Sequence, residues 1–305
     1  MEGSDSLSVT SEIAVLLNPS AGRGKHRQAA QAALRRLESA GPVRVLEAGT
    51  PQDAEKAGKA AVADGARALV ALGGDGTVHL ALQAVAGGDV PLGIVPAGTG
   101  NDIAACFGLP NSATEAADTI VNALADNRIR RMDLARLSTV DGATRWYAAV
   151  LAAGFDAIVN ERGNSMRWPK GPRRYDIAIL LELARLRPRT YTAVFDGEQQ
   201  TFTASLLAIG NCTSYGGGMK ICPQADPTDG LLDIVWAEPV SRATLIRIKP
   251  RVYQGTHVLD ARVKQRRAKE IQLDAADIVC YADGERIGPL PITVTAVAAA
   301  LPLLG

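Results

Sequence analysis

Gly73-Gly74-Asp75-Gly76-Thr77 follows the apolar run Ala68-Leu69-Val70-Ala71-Leu72 and precedes a helical-looking stretch at residues 78–86. The pattern reads as strand, glycine turn, helix. Glycines let a ligand lie against the backbone, and the amides opening the next helix aim partial positive charge at the same spot. That combination suits a phosphate group. Asp75 adds a condition, because a carboxylate beside phosphate oxygens is repulsive unless a cation, an ordered water or a sugar hydroxyl lies between them. A nucleotide with a metal ion nearby meets it, although a short glycine turn also serves as a plain strand-to-helix connection.

Other strand ends carry similar chemistry. Ile13-Ala14-Val15-Leu16-Leu17 is a compact apolar run that ends at Asn18-Pro19-Ser20-Ala21-Gly22-Arg23-Gly24-Lys25, rich in donors and positive charge. It reads as a second phosphate cradle or as a solvated basic turn. It is not a Walker loop: Pro19 replaces the first glycine and His26 follows Lys25. Thr50, after the strand that includes Val43-Arg44-Val45-Leu46, reads as a third strand-end contact or as a helix N-cap. Pro91-Leu92-Gly93-Ile94-Val95-Pro96 leads into Ala97-Gly98-Thr99-Gly100-Asn101-Asp102, where Thr99 and Asn101 offer hydrogen bonds and Asp102 a second carboxylate. Alternating strands and helices predict a parallel sheet with helices on both faces, and ligands bind beyond the carboxyl ends of such strands. A dinucleotide dehydrogenase fits less well, since His79 and Ile103 fall where G-x-G-x-x-G needs its last glycine.

With 305 residues and 47% hydrophobic content the chain has material for two cores. An α/β domain over residues 11–130 and a mainly β, sandwich-like domain over 131–294 are expected, the tail at 295–305 belonging to either. A net charge of +1 gives no pull toward nucleic acid. Cys106, Cys212, Cys222 and Cys280 contain no C-x-x-C pair, so no zinc site is indicated, and a cytoplasmic location fits the polar start of the chain. The apolar content is compatible with a homodimer interface.

In the second half, Asp196-Gly197 and Asp283-Gly284 read as hairpin turns between strands, and further strands are expected at 146–152, 230–236, 270–273 and 292–296. The loop at 210–233 holds Gly216-Gly217-Gly218, costly to order unless the backbone presses on a ligand or another loop. Asp226 and Asp229, with carbonyls around Leu231, suit a hard cation such as magnesium or calcium, or form an acidic turn before the next strand. Glu285, just past a hairpin turn, is either a general base aimed into a cleft or an ordinary exposed glutamate.

Taken in order, Asn18 to Gly22, Gly73 to Thr77, Pro96 to Asp102, residues 216–233 and Asp283-Gly284-Glu285 resemble the diacylglycerol kinase catalytic-domain family, and its soluble bacterial lipid kinases in particular. Gly-Gly-Asp-Gly-Thr also occurs in NAD kinases; the glycine triplet combined with Asp-Gly-Glu is more specific. The resemblance spans nearly the whole chain. It implies ATP held by Asn18, Pro19, Ser20, Ala21, Gly22, Thr50, Gly73, Gly74, Asp75, Gly76, Thr77 and Thr99, with Asn101 and Asp102 in the same group. It also implies catalytic roles for Glu285, as base, and for Asp75, and a structural Mg2+ at Asp226, Asp229 and Leu231, some of these through main-chain carbonyls. Two departures are visible: Val78-His79-Leu80 where many members carry Leu-Asn-Glu, and Thr228 in place of an acidic residue.

The expected activity is transfer of the γ-phosphoryl of ATP to the hydroxyl of diacylglycerol, yielding phosphatidic acid. Alternatives are a kinase of a sphingoid base, phosphatidylglycerol or NAD, or a nucleotide- or lipid-binding regulator without turnover. Such a kinase would touch the anionic inner face of the membrane peripherally. Residues 162–189, with eight basic residues, two acidic ones and Trp168, read as a docking segment or as a core helix with a solvated rim. Residues 242–269 form a second basic stretch with the same two readings.

Overall fold

The computed structural model describes residues 12–17, 25–155, 157, 158, 162 and 187–305. Asn18 to Gly22 lies outside the described residues, as does almost all of the basic segment at 162–189. The chain divides into two compact units, one drawn from Met1–Leu134 with Ala298–Gly305 and the other from Ala135–Val297.

In the first unit, β1 (Ile13–Leu17), β2 (Val43–Leu46), β3 (Ala68–Gly73) and β4 (Leu92–Pro96) form a parallel sheet in the order β2-β1-β3-β4. β3 and β4 are buried along their whole length, which is why they read as unbroken apolar runs instead of alternating ones. Alternate residues serve opposite faces. Ile13, Val15, Val70 and Leu72 share a core with Ala33 and Leu37 of α1 (Lys25–Leu37) and with Ala117 and Ile120 of α5 (Ala113–Ala125). α2 (Pro51–Ala63) and α3 (Asp75–Val85) pack on each other so closely that a Cβ on Gly58 would lie 3.4 Å from Ala84 and 3.7 Å from Leu69. A short α4 (Asp102–Cys106) follows β4. The end of the last strand, β16 (Ile292–Leu304), lies parallel beside β4, with Leu303 opposite Leu92.

The second unit is a β-sandwich. After β5 (Ile129–Thr139) come β6 (Thr144–Tyr147), β7 (Val150–Ala152), β8 (Arg189–Phe195), β9 (Glu198–Ala204), β10 (Leu206–Gly210) and β11 (Leu232–Ala237). Helix α6 (Arg242–Gln254) then leads to β12 (Val263–Ala268), β13 (Glu270–Asp274), β14 (Val279–Ala282) and β15 (Glu285–Pro289). One sheet runs β12-β11-β10-β7-β14-β15, antiparallel throughout, and the other places β13 between the start of β16 and the β8–β9 hairpin. Tyr191, Phe195, Leu207, Ile234, Trp236, Ile271 and Val294 share the core between them. The strand expected over 146–152 is two strands. Its break falls at Ala148 and Ala149, whose amides donate to a carboxylate, that of Asp283, instead of to a ladder. No helix among the described residues is long and apolar enough to cross a membrane.

Candidate active site

In the first unit the candidate residues collect at the carboxyl ends of the parallel strands. Gly74 opens α3, and having no side chain it cannot cap the first helical amides, which leaves their positive end to another acceptor. The turn packs backbone to backbone on the loop after β4. A Cβ on Gly98 would stand 2.5 Å from the Gly74 Cα, and one on Gly74 3.1 Å from the Gly98 Cα. Two bonds fasten the pair: Ala97 N donates to Gly73 O at 2.8 Å, and Ile103 N donates to Asp75 Oδ1 at 3.0 Å. Asn101 takes a left-handed backbone, φ 57°, and its Oδ1 accepts from Gly98 N at 3.0 Å. Thr77 and Asp102 are buried, Gly76 is half-buried and Thr99 is exposed. Thr50 lies beyond the end of β2, where its hydroxyl donates to Asp53 Oδ2 at 2.7 Å and accepts from Asp53 N at 3.1 Å. Thr50 is thus the N-cap of α2.

In the second unit Gly216, Gly217 and Gly218 all have positive φ, at 62°, 85° and 90°, and close a tight loop in which Tyr215 and Met219 exchange backbone bonds. The triplet is therefore a demand of the turn itself. Further on, Asp226 Oδ1 accepts from Thr228 N at 3.0 Å and from the Thr228 hydroxyl at 2.6 Å, and Asp229 Oδ1 accepts from Leu231 N at 3.0 Å. The other oxygen of Asp229 meets the Arg267 guanidinium. Arg267 Nε also forms an ion pair with Asp233 Oδ2 at 3.3 Å, but without hydrogen-bond alignment, so this buried oxygen has no hydrogen-bond partner among the described residues. Burial, and secondarily the charge of Asp226, pushes the Asp233 carboxyl up to about 6.

No group of three or more histidine, cysteine or acidic side chains is assembled as a metal site among the described residues. An ion here would need main-chain oxygens such as that of Leu231. The donor chemistry nevertheless fits a hard cation: every candidate ligand is oxygen, a buried carboxylate oxygen lacks a hydrogen bond, and burial together with a second carboxylate raises its pKa. The Thr228 hydroxyl stands where the resemblance expects another acid, and it already occupies one oxygen of Asp226.

Glu285 begins β15 after a turn in which Asp283 and Gly284 both have positive φ, 52° and 84°. Asp283 is buried. Its two oxygens accept from Ala148 N at 3.0 Å and from Ala149 N at 2.8 Å, pinning the turn to the gap between β6 and β7. Glu285 itself is exposed. A flexible side chain thus stands on a fixed base. Sequence reasoning missed Asp283 as the anchor and Arg267 as the cation near Asp229. The Asp-Gly turn hinted at the first, while the second follows from the pairing of Arg267 opposite Asp233 across β11 and β12.

The diacylglycerol kinase catalytic domain matches residues 12–137, and the YegS C-terminal NAD kinase beta sandwich-like domain matches residues 149–305. A diacylglycerol kinase of Mycobacterium tuberculosis (strain ATCC 25618 / H37Rv) is 46% identical over 296 residues, covering 96% of this chain and 94% of that protein. Among solved structures, a diacylglycerol kinase from Bacillus anthracis str. Sterne superposes with a TM-score of 0.69 at 19% identity, over 96% of this chain and 95% of that one. An NAD kinase from Archaeoglobus fulgidus in complex with ATP gives 0.53 at 14% identity, over 96% and 92%. These two likenesses concern the fold alone. The chain belongs to the diacylglycerol kinase catalytic-domain family and is a lipid-kinase-type phosphotransferase that acts on an alcohol.

Proposed function

We propose that the protein transfers the γ-phosphoryl group of ATP to the hydroxyl of diacylglycerol, giving phosphatidic acid, with Glu285 as general base. The observation that carries this reading is the Asp283 anchor, which holds an exposed carboxylate on a turn fixed by two buried amide bonds. Phosphoryl transfer asks little covalent chemistry of a protein; it needs positioning, neutralisation of the phosphate charge, and one group to accept the acceptor's proton. Glu285 takes that proton as the acceptor oxygen attacks phosphorus and the bond to the β-phosphate oxygen breaks.

The uncapped start of α3 and the loop after β4 receive the phosphates, with Gly73 to Thr77, Thr99 and Asn101 in contact and Asp75 and Asp102 on the metal side of the nucleotide. Asn18 to Gly22 and the Thr50 region complete the ATP contacts. Magnesium, when bound by Asp226, Asp229 and the Leu231 carbonyl, neutralises the crowded carboxylates and fixes the loop. The acceptor resides in a membrane, so the protein works peripherally on an anionic surface.

Replacing Glu285 with Gln keeps shape and removes the base. Turnover should fall by roughly 10²- to 10⁴-fold, the usual contribution of a positioned base, while ATP affinity stays unchanged. Undiminished turnover in this variant would remove Glu285 from the mechanism.

A further inference from the structure

Helix α6 carries two apolar faces where a helix packed on a core needs one. Its inner face is ordinary, with Ile248 buried and Leu245 and Val252 half-buried. Residues turn by about 100° each, so Ile246 and Tyr253, seven apart, stand one above the other on the opposite, outward stripe. Ile246 is 60% exposed and Tyr253 47%, and Leu259, on the turn just beyond the helix, is 78% exposed. The same stripe carries Arg242 and Lys249, Arg247 stands about 100° further around the helix, and the helix contains no acidic residue. Arg251 and Arg262 are tied to Asp260, at 3.4 and 2.8 Å, whereas Arg247 and Lys249 make no ion pair among the described residues.

Single exposed apolar side chains are commonplace, but two of them aligned with two cations on one stripe of a helix that holds no acid are a patterned surface. We propose that the outer face of α6 docks on an anionic lipid bilayer. Ile246 and Tyr253 enter the headgroup boundary, where a tyrosine ring is at home, and Arg242 and Lys249 meet lipid phosphates. Charge selects this occupant over a second copy of the chain, because self-association through this face would bring two basic stripes together. The inference rests on the lipid-kinase reading, which places the acceptor in a bilayer.

The test is cosedimentation of the full chain, without ATP, with vesicles of phosphatidylcholine alone or containing phosphatidylglycerol. The wild type should bind the anionic vesicles preferentially. Lys249→Gln should weaken that binding roughly fivefold, the contribution of one basic residue at an anionic surface. Ile246→Ser/Tyr253→Ser, which keeps the charge, should weaken binding to a similar degree. Both variants should phosphorylate a water-soluble short-chain diacylglycerol at the wild-type rate and lose rate only on vesicle-embedded acceptor. Wild-type binding indifferent to lipid charge, or variants that bind like wild type, would overturn the proposal. So would a wild-type oligomer that either variant dissolves. Charge-dependent binding without turnover on any acceptor would leave the docking face standing and remove the kinase reading instead.

Discussion

Replacing Asp283 with Ala should cost the second unit a large part of its stability. The carboxylate is the acceptor for two amides, those of Ala148 and Ala149, whose residues are 0% and 2% exposed and have no water to turn to. Each buried donor left without a partner costs about 1–3 kcal/mol, and an alanine held at the left-handed φ adds about 1–2 kcal/mol, for a total near 5 kcal/mol. Whole domains are stable by only about 5–15 kcal/mol, so the variant should sit close to unfolding. Asp283→Asn tolerates the backbone and keeps one oxygen acceptor, so it should lose roughly half as much and remain folded. Urea unfolding followed through buried Trp236 measures both losses, and hydrogen exchange at Ala148 and Ala149 localises them. In Asp283→Asn, a loosened turn should also lower kcat with little change in the KM for ATP. An Ala variant within 1 kcal/mol of wild type by the yardstick of a typical surface substitution, about 0.5 kcal/mol, would refute the anchor. An Asn variant with unchanged kcat would refute its role in positioning Glu285.

Two further outcomes are expected. Gly98→Ala places a Cβ 2.5 Å from the Gly74 Cα, a backbone atom that cannot swing aside, so the two glycine loops must part. We expect a loss of about 1–3 kcal/mol and weakened ATP binding, with Gly74→Ala milder; calorimetry and nucleotide titration check both, and a neutral Gly98→Ala would contradict the packing. His257 is 2% exposed, Nε2–H donates to the Ile221 carbonyl at 3.1 Å, and Nδ1 has no hydrogen-bond partner among the described residues. Burial, aided by the charge of Arg251 and opposed by the bond to Ile221, holds its pKa below the ordinary value. The unfolded chain therefore binds this proton more readily, and stability should fall as pH drops below about 6.5. His257→Gln should flatten that slope in urea titrations across the window, and an unchanged slope would exclude His257 as its source.

The apolar runs of β1, β3 and β4 were legible because strands buried on both faces write their burial into consecutive residues. The hairpin turns were legible too, since Asp196-Gly197 and Asp283-Gly284 both need positive φ and that chemistry is local. What escaped were consequences of distant partners. Nothing near Ala148 announces that a carboxylate far along the chain takes its amide, and so the strand over 146–152 looked continuous. The glycine triplet was visible, but its turn geometry, positive φ at all three residues, was not. The basic stretch at 242–269 showed its charge at once. Its outward apolar stripe emerged only when Ile248 was seen to face inward and Ile246 outward.

Transfer of labelled γ-phosphate from ATP with magnesium to diacylglycerol, a sphingoid base, phosphatidylglycerol and NAD, offered to the wild type and to Glu285→Gln, decides both the acceptor and the base. The wild type should give a labelled, chloroform-soluble product from diacylglycerol, and Glu285→Gln almost none. Label appearing only on NAD, or equally in both proteins, would contradict the proposed function.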